Sequence, residues 1–111
     1  MTDWYCDELL SGKTPVEVVF ETDQVIAFHH TRPHYEVHVV VVPKRHVESL
    51  LDVGPDDGPL LAELLAVVQR VAQVVIAQVG GAHVVTNLGE YQESKHLHVH
   101  VGRGSTRQSP G

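Results

Sequence analysis

Apolar residues in this chain fall into short β-branched runs separated by one long stretch of helical spacing. Val16 to Glu21 is β-branched and ends at the polar Thr22-Asp23, and Val25 to Phe28 is a second apolar run. The two predict a hairpin. Val37-His38-Val39-Val40-Val41-Val42 predicts a central strand covered on both faces and stopped at Pro43, which cannot donate to a ladder.

Asp56 or Asp57 then suits a helix cap and Pro59 the first turn, and Leu60, Leu64, Val68, Val71, Val75 and Val79 repeat at helical spacing up to Gly80-Gly81. The valines lower intrinsic helicity, but a segment of about 20 residues is too long for one ordinary strand. Ala82 to Asn87 and His96 to Val101 read as two further strands, with Gly89 to Lys95 as the loop between them. This order of elements gives an α+β class with an antiparallel sheet.

The chain has 9 histidines, and their placement carries the chemistry. In His96-Leu97-His98-Val99-His100-Val101, alternation puts three imidazoles on one face of a strand and Leu97, Val99 and Val101 on the other, making one face core and one face working surface. Alternate side chains stand roughly 7 Å apart, which suits a row of donors along a polyphosphate or a metal. The bland reading is an exposed polar edge, but Ser, Thr or Lys would serve that purpose equally well. His38 is the one polar residue in its valine run, and a buried imidazole needs a partner. Alone it would be a satisfied core histidine. Beside the row of three it becomes a fourth member of a proton donor and acceptor cluster. Such a cluster could also fill a tetrahedral zinc site, although the third ligand from one strand would have to bend back to share the ion.

At 111 residues the chain fits one domain, with a tail-like composition from Gly102 to Gly111; we expect a domain over residues 1–102 and a tail over 103–111. The 14 acidic and 8 basic residues leave a formal charge of −6, which gives no broad attraction for nucleic acid or an acidic membrane. A single cysteine, Cys6, cannot form an internal disulfide and favours a reducing, cytoplasmic setting. Met1 to Leu10 is too acidic for a signal peptide, and the apolar runs such as Val37 to Val42 fall short of a membrane span.

With these residues in place, the sequence resembles the histidine-triad (HIT) nucleotide hydrolases and transferases, most closely the Hint-like branch. The resemblance is carried by Cys6, Gly12, Pro15, Val19, Glu21, Phe28, Pro33, His38, Pro43-Lys44-Arg45-His46, Asn87, Gly89, Gln92 and the signature His96-Leu97-His98-Val99-His100. It implies a HIT-like fold, a five-stranded antiparallel sheet with one long helix and a short N-terminal helix, in a homodimer. It also implies nucleotidyl transfer with His98 as nucleophile on the α-phosphorus, its second ring nitrogen bonded to a backbone carbonyl. His100 and His38 would bond the phosphoryl oxygens, and His96 would lie further back and orient the others. Phe28, His30, Asn87, Gln92 and His100 would contact the nucleotide. Lys44, Arg45 and His46 read as support for the strand end.

Three departures stand out. His30 occupies the position where relatives place a ribose-binding Asp or Asn, Glu93 replaces a Ser or Thr, and Asp3 replaces the first half of the Cys-x-x-Cys pair that ends at Cys6. The last of these removes the zinc site of some relatives, so no metal and no cofactor is expected. The implied activity is hydrolysis of purine nucleoside phosphoramidates or related nucleoside monophosphate derivatives. Dinucleoside polyphosphate hydrolysis is the alternative within the family, and a nucleotide-binding adaptor with little catalysis is the alternative outside enzymology.

Overall fold

The computed structural model describes Tyr5, residues 9–12, residues 15–30 and residues 37–104. The expected short N-terminal helix falls largely outside these residues, as do Asp3, Cys6, Pro33 and the chain after Gly104. Five strands, β1 (Val18–Glu21), β2 (Val25–His29), β3 (Val37–Pro43), β4 (His83–Val85) and β5 (Val99–Arg103), form one sheet in the order β1-β2-β3-β5-β4, every pair antiparallel. The valine run is central, as expected.

One long helix, α1 (Gly58–Val79), covers one face of the sheet. Its buried residues are Leu60, Leu64, Val67, Val68, Val71 and Val75, which fall on one side only at helical spacing. Burial of six such side chains, at about 1.5–3 kcal/mol each, outweighs the helix-propensity cost of its valines, at most about 0.7 kcal/mol each. Packing thus decides the conformation of a valine-rich segment. By length and apolar content the stretch Pro55–Val79 could cross a bilayer, but here its apolar side is the packing face of a sheet. Gly80, at φ 91°, takes the left-handed conformation and donates its N–H to the Ile76 carbonyl, ending the helix where the sequence indicated.

The cap differs from expectation. Asp57 precedes α1, yet its carboxylate turns back to accept from the Gly54 N–H at 2.8 Å and from Arg45, closing the short 3-10 turn Pro55–Asp57 instead of the helix. At the other end of the first hairpin, Glu63 of α1 accepts from the Thr22 hydroxyl at 2.7 Å and the Gln24 N–H at 3.2 Å, fixing helix to sheet.

The last two strands are shorter or displaced relative to the pattern. Of Ala82 to Asn87, only His83–Val85 pairs. The histidine strand begins at Val99, not His96, and runs on through Gly102 to Arg103, which pairs with Val37. The cause lies in β3: its ladder with β5 starts at Val41 opposite Val99, and beyond it Pro43 has no N–H to give. Leu97 bonds the Val47 carbonyl at 2.6 Å instead. The sheet therefore extends one residue past the expected domain boundary at 102.

Candidate active site

The site forms on the sheet face opposite α1. Alternation sends Val39, Val41, Val99 and Val101 into the helix-side core, and His38, Val40, Val42, His98 and His100 to the other side. Val40 pairs with His100, so His38 sits diagonally across from it, and their rings meet with His38 Nε2 2.8 Å from His100 Nδ1. One ring must donate and the other accept. At the end of β2 the His30 N–H donates to the His38 carbonyl at 2.9 Å, which lays the His30 ring on the His38 ring, with centroids 4.2 Å apart and planes 15° apart. His98 and His100 meet edge to face at 4.9 Å.

Two further contacts fix protons. A carbonyl can only accept, so His98 Nδ1, 2.6 Å from the His96 carbonyl, carries the hydrogen, and in the neutral ring Nε2 holds the lone pair. His96 Nε2 likewise donates to the Pro43 carbonyl at 2.7 Å. The Thr86 hydroxyl donates to the carbonyl of His98 itself at 2.9 Å, holding the backbone that carries the ring.

The expected working surface is enclosed: His38, His96, His98 and His100 are all 3% exposed or less. The Tyr5 ring packs against two of them, 4.9 Å from His98 and 5.6 Å from His96. The structure brings His30, His38, His98 and His100 together. His96 lies further back, with its ring edge to face with His46 at 5.4 Å and its Nε2 on the Pro43 carbonyl, and His30 stands beside the other three.

Phe28 is buried against Tyr5 in the apolar cluster of that face. Gln92 is buried and donates its amide to the Glu48 carbonyl at 2.6 Å, tying the loop before the triad to the segment after β3. Asn87 is half-buried just after Thr86, and Glu93 is exposed. Lys44 pairs with Glu21 and Arg45 with Asp57, the supporting role expected of that basic turn. Tyr5 and Thr86 were not singled out from sequence. An aromatic near the N-terminus and a threonine beside Asn87 carry no spacing signal.

A family model described as "Scavenger mRNA decapping enzyme C-term binding" matches residues 3–109. An uncharacterized HIT-like protein of Chlamydia trachomatis is 33% identical over 96 residues, covering 86% of this chain and 86% of that protein. Among solved structures, a HIT family hydrolase from Legionella pneumophila superposes with a TM-score of 0.81 at 32% identity, covering 98% of both chains. A histidine triad protein from Clostridium difficile superposes with a TM-score of 0.79 at 30% identity, covering 98% of this chain and 96% of that one.

Proposed function

Because this chain belongs to the histidine-triad family, we propose that it is a nucleotide hydrolase that cleaves purine nucleoside phosphoramidates or related nucleoside monophosphate derivatives through a nucleotidyl-histidine intermediate. The observation that carries the reading is the bond from His98 Nδ1 to the His96 carbonyl, which directs the lone pair to Nε2 and makes that atom the nucleophile.

In the first step Nε2 forms a bond to the α-phosphorus and the bond from phosphorus to the leaving nitrogen breaks, the amine departing with a proton taken from water, which the hydrolysis of the second step returns. In the second, water cleaves the phosphohistidine, releasing the nucleoside monophosphate and the free imidazole. His38 and His100 share a hydrogen bond beside His98, which leaves one ring N–H of the neutral pair to donate to the phosphoryl oxygens as charge develops on them. His96 and Thr86 position His98 through its ring and its backbone. His30, stacked on His38, stands at the ribose end, and Asn87 and Gln92 flank the leaving group.

The test is to trap the intermediate. A nucleoside phosphoramidate labelled in its phosphate is mixed with the protein, quenched in alkali that preserves phosphohistidine, and the label mapped. Label on His98 is expected. Saturable nucleotide binding with no label transferred in a single turnover would instead identify a binding module.

A further inference from the structure

We propose that His30, His38 and His100 form a three-imidazole site for one divalent transition-metal ion of the zinc or copper type. Each residue offers one ring nitrogen, and the three nitrogens all lie within 4.8 Å of one another. They come from three different places in the fold, the end of β2, the start of β3 and the start of β5, so the site is a product of the sheet and not of spacing along one strand. A tetrahedral zinc bound at about 2.0–2.1 Å holds its ligand nitrogens roughly 3.3 Å apart. The His38 and His100 nitrogens stand 2.8 Å apart in a hydrogen bond that the ion would replace, and the pair would open by about half an ångström.

Converging the third lone pair asks for one movement: the His30 ring must tilt out of its stack on His38. His30 is the half-buried member of the three and lies just beyond the last residue of its strand, which makes it the one best placed to turn and the entry for the ion. The donor set decides the class of ion. Three imidazoles and no carboxylate suit zinc, copper, nickel or cobalt and disfavour magnesium and calcium, which take oxygen ligands. Three protein ligands also leave a fourth position for water or a phosphate oxygen. His98 is not one of the three residues whose ring nitrogens all lie within 4.8 Å of one another. The ion would take ring nitrogens that the hydrolase reading gives to the substrate, so metal and nucleotide would compete for the site, and metal binding is read without turnover.

The experiment uses the full chain, stripped with EDTA, dialysed and titrated with zinc or cobalt(II) alone. Calorimetry is expected to give one ion per chain, and the cobalt complex the visible absorption of a four-coordinate site. His30→Asn and His30→Gln are each expected to weaken binding by at least about tenfold. His83→Asn, on exposed β4, and His46→Asn, near His96, are expected to leave it unchanged. Thermal melts with and without zinc give a second readout: the ion should raise the wild-type midpoint more than that of either His30 variant. No stoichiometric binding by the wild type would overturn the site, as would binding that survives both His30 substitutions or that is lost in His46→Asn.

Discussion

His98 Nδ1 bonds the carbonyl of His96, two residues back along its own chain, at 2.6 Å. The triad therefore works as a unit in which the first histidine contributes its backbone to orient the second. Replacing His98 should abolish the chemical step while leaving the sheet in place. Because the ring is buried, His98→Ala would also open a cavity worth about 2–5 kcal/mol, so His98→Asn, which can keep a donor toward the His96 carbonyl, is the cleaner variant. Its kcat should fall roughly a thousandfold or more with an unchanged circular dichroism spectrum. Turnover like that of the wild type would remove His98 from the role of nucleophile.

Thr86 acts on the same ring from the other side of its peptide, by donating to the His98 carbonyl at 2.9 Å. Thr86→Val keeps the shape and loses that bond, at a cost of about 1 kcal/mol in stability. If Thr86 positions His98, kcat should drop about tenfold with little change in KM, and Thr86→Ser should recover most of it. An equal loss in both variants, or a change confined to KM, would leave Thr86 a purely structural contact.

The strand and helix pattern was legible in the sequence because each element obeys one period: the valine run of β3, the stripe from Leu60 to Val75, and the alternation that divides His98 and His100 from Val99 and Val101. What escaped is set by contacts between distant segments. His30 joins the cluster through a backbone bond to His38 across the β2-β3 ladder, and no local signal in the sequence announces that bond. The partner of the His96 ring, the carbonyl of the proline that ends β3, lies 53 positions away and carries no local signal either. The packing of Tyr5 against His98 joins positions more than ninety residues apart in the chain and follows only from the fold. Asp57 looked like a helix cap by position, and its carboxylate instead serves the turn before the helix.

The same carboxylate sets a pH dependence. The Gly54 N–H, and after it the Arg45 guanidinium, hold the Asp57 carboxyl below its ordinary value of 3.8. A group depressed in the folded state stabilises the fold above its unfolded value, and that contribution is lost as pH falls through the folded value. Asp57→Asn should therefore be less stable than the wild type at pH 7. The gap should begin to narrow in urea melts as pH falls toward 3.8 and close only below the lower folded value, where both proteins carry an uncharged side chain. A gap of constant size across this range would show that the contribution of Asp57 is not one of charge.

The outward side of α1 leads to the last prediction. Leu65 and Ile76 are 52% and 50% exposed and lie eleven residues apart, three turns along one side of the helix, while the six buried residues face the sheet. The edge strand β4 exposes Val84 as well, and its outer backbone edge is a pairing surface of the kind that natural sheets cover. We propose that a second copy covers this apolar side by two-fold symmetry, an arrangement in which the same patch serves both partners. Sedimentation at micromolar concentration should give a mass near twice 12.2 kDa. Ile76→Asp should shift it to the monomer, because an unpaired carboxylate placed in an apolar interface costs several kcal/mol and two copies would suffer it together. Asp23→Asn, in the exposed turn between β1 and β2 at the opposite edge of the sheet, serves as the control and should remain dimeric. A wild-type monomer that turns over at the full rate would show that the exposed leucine and isoleucine are ordinary surface residues and that the site is complete within one chain.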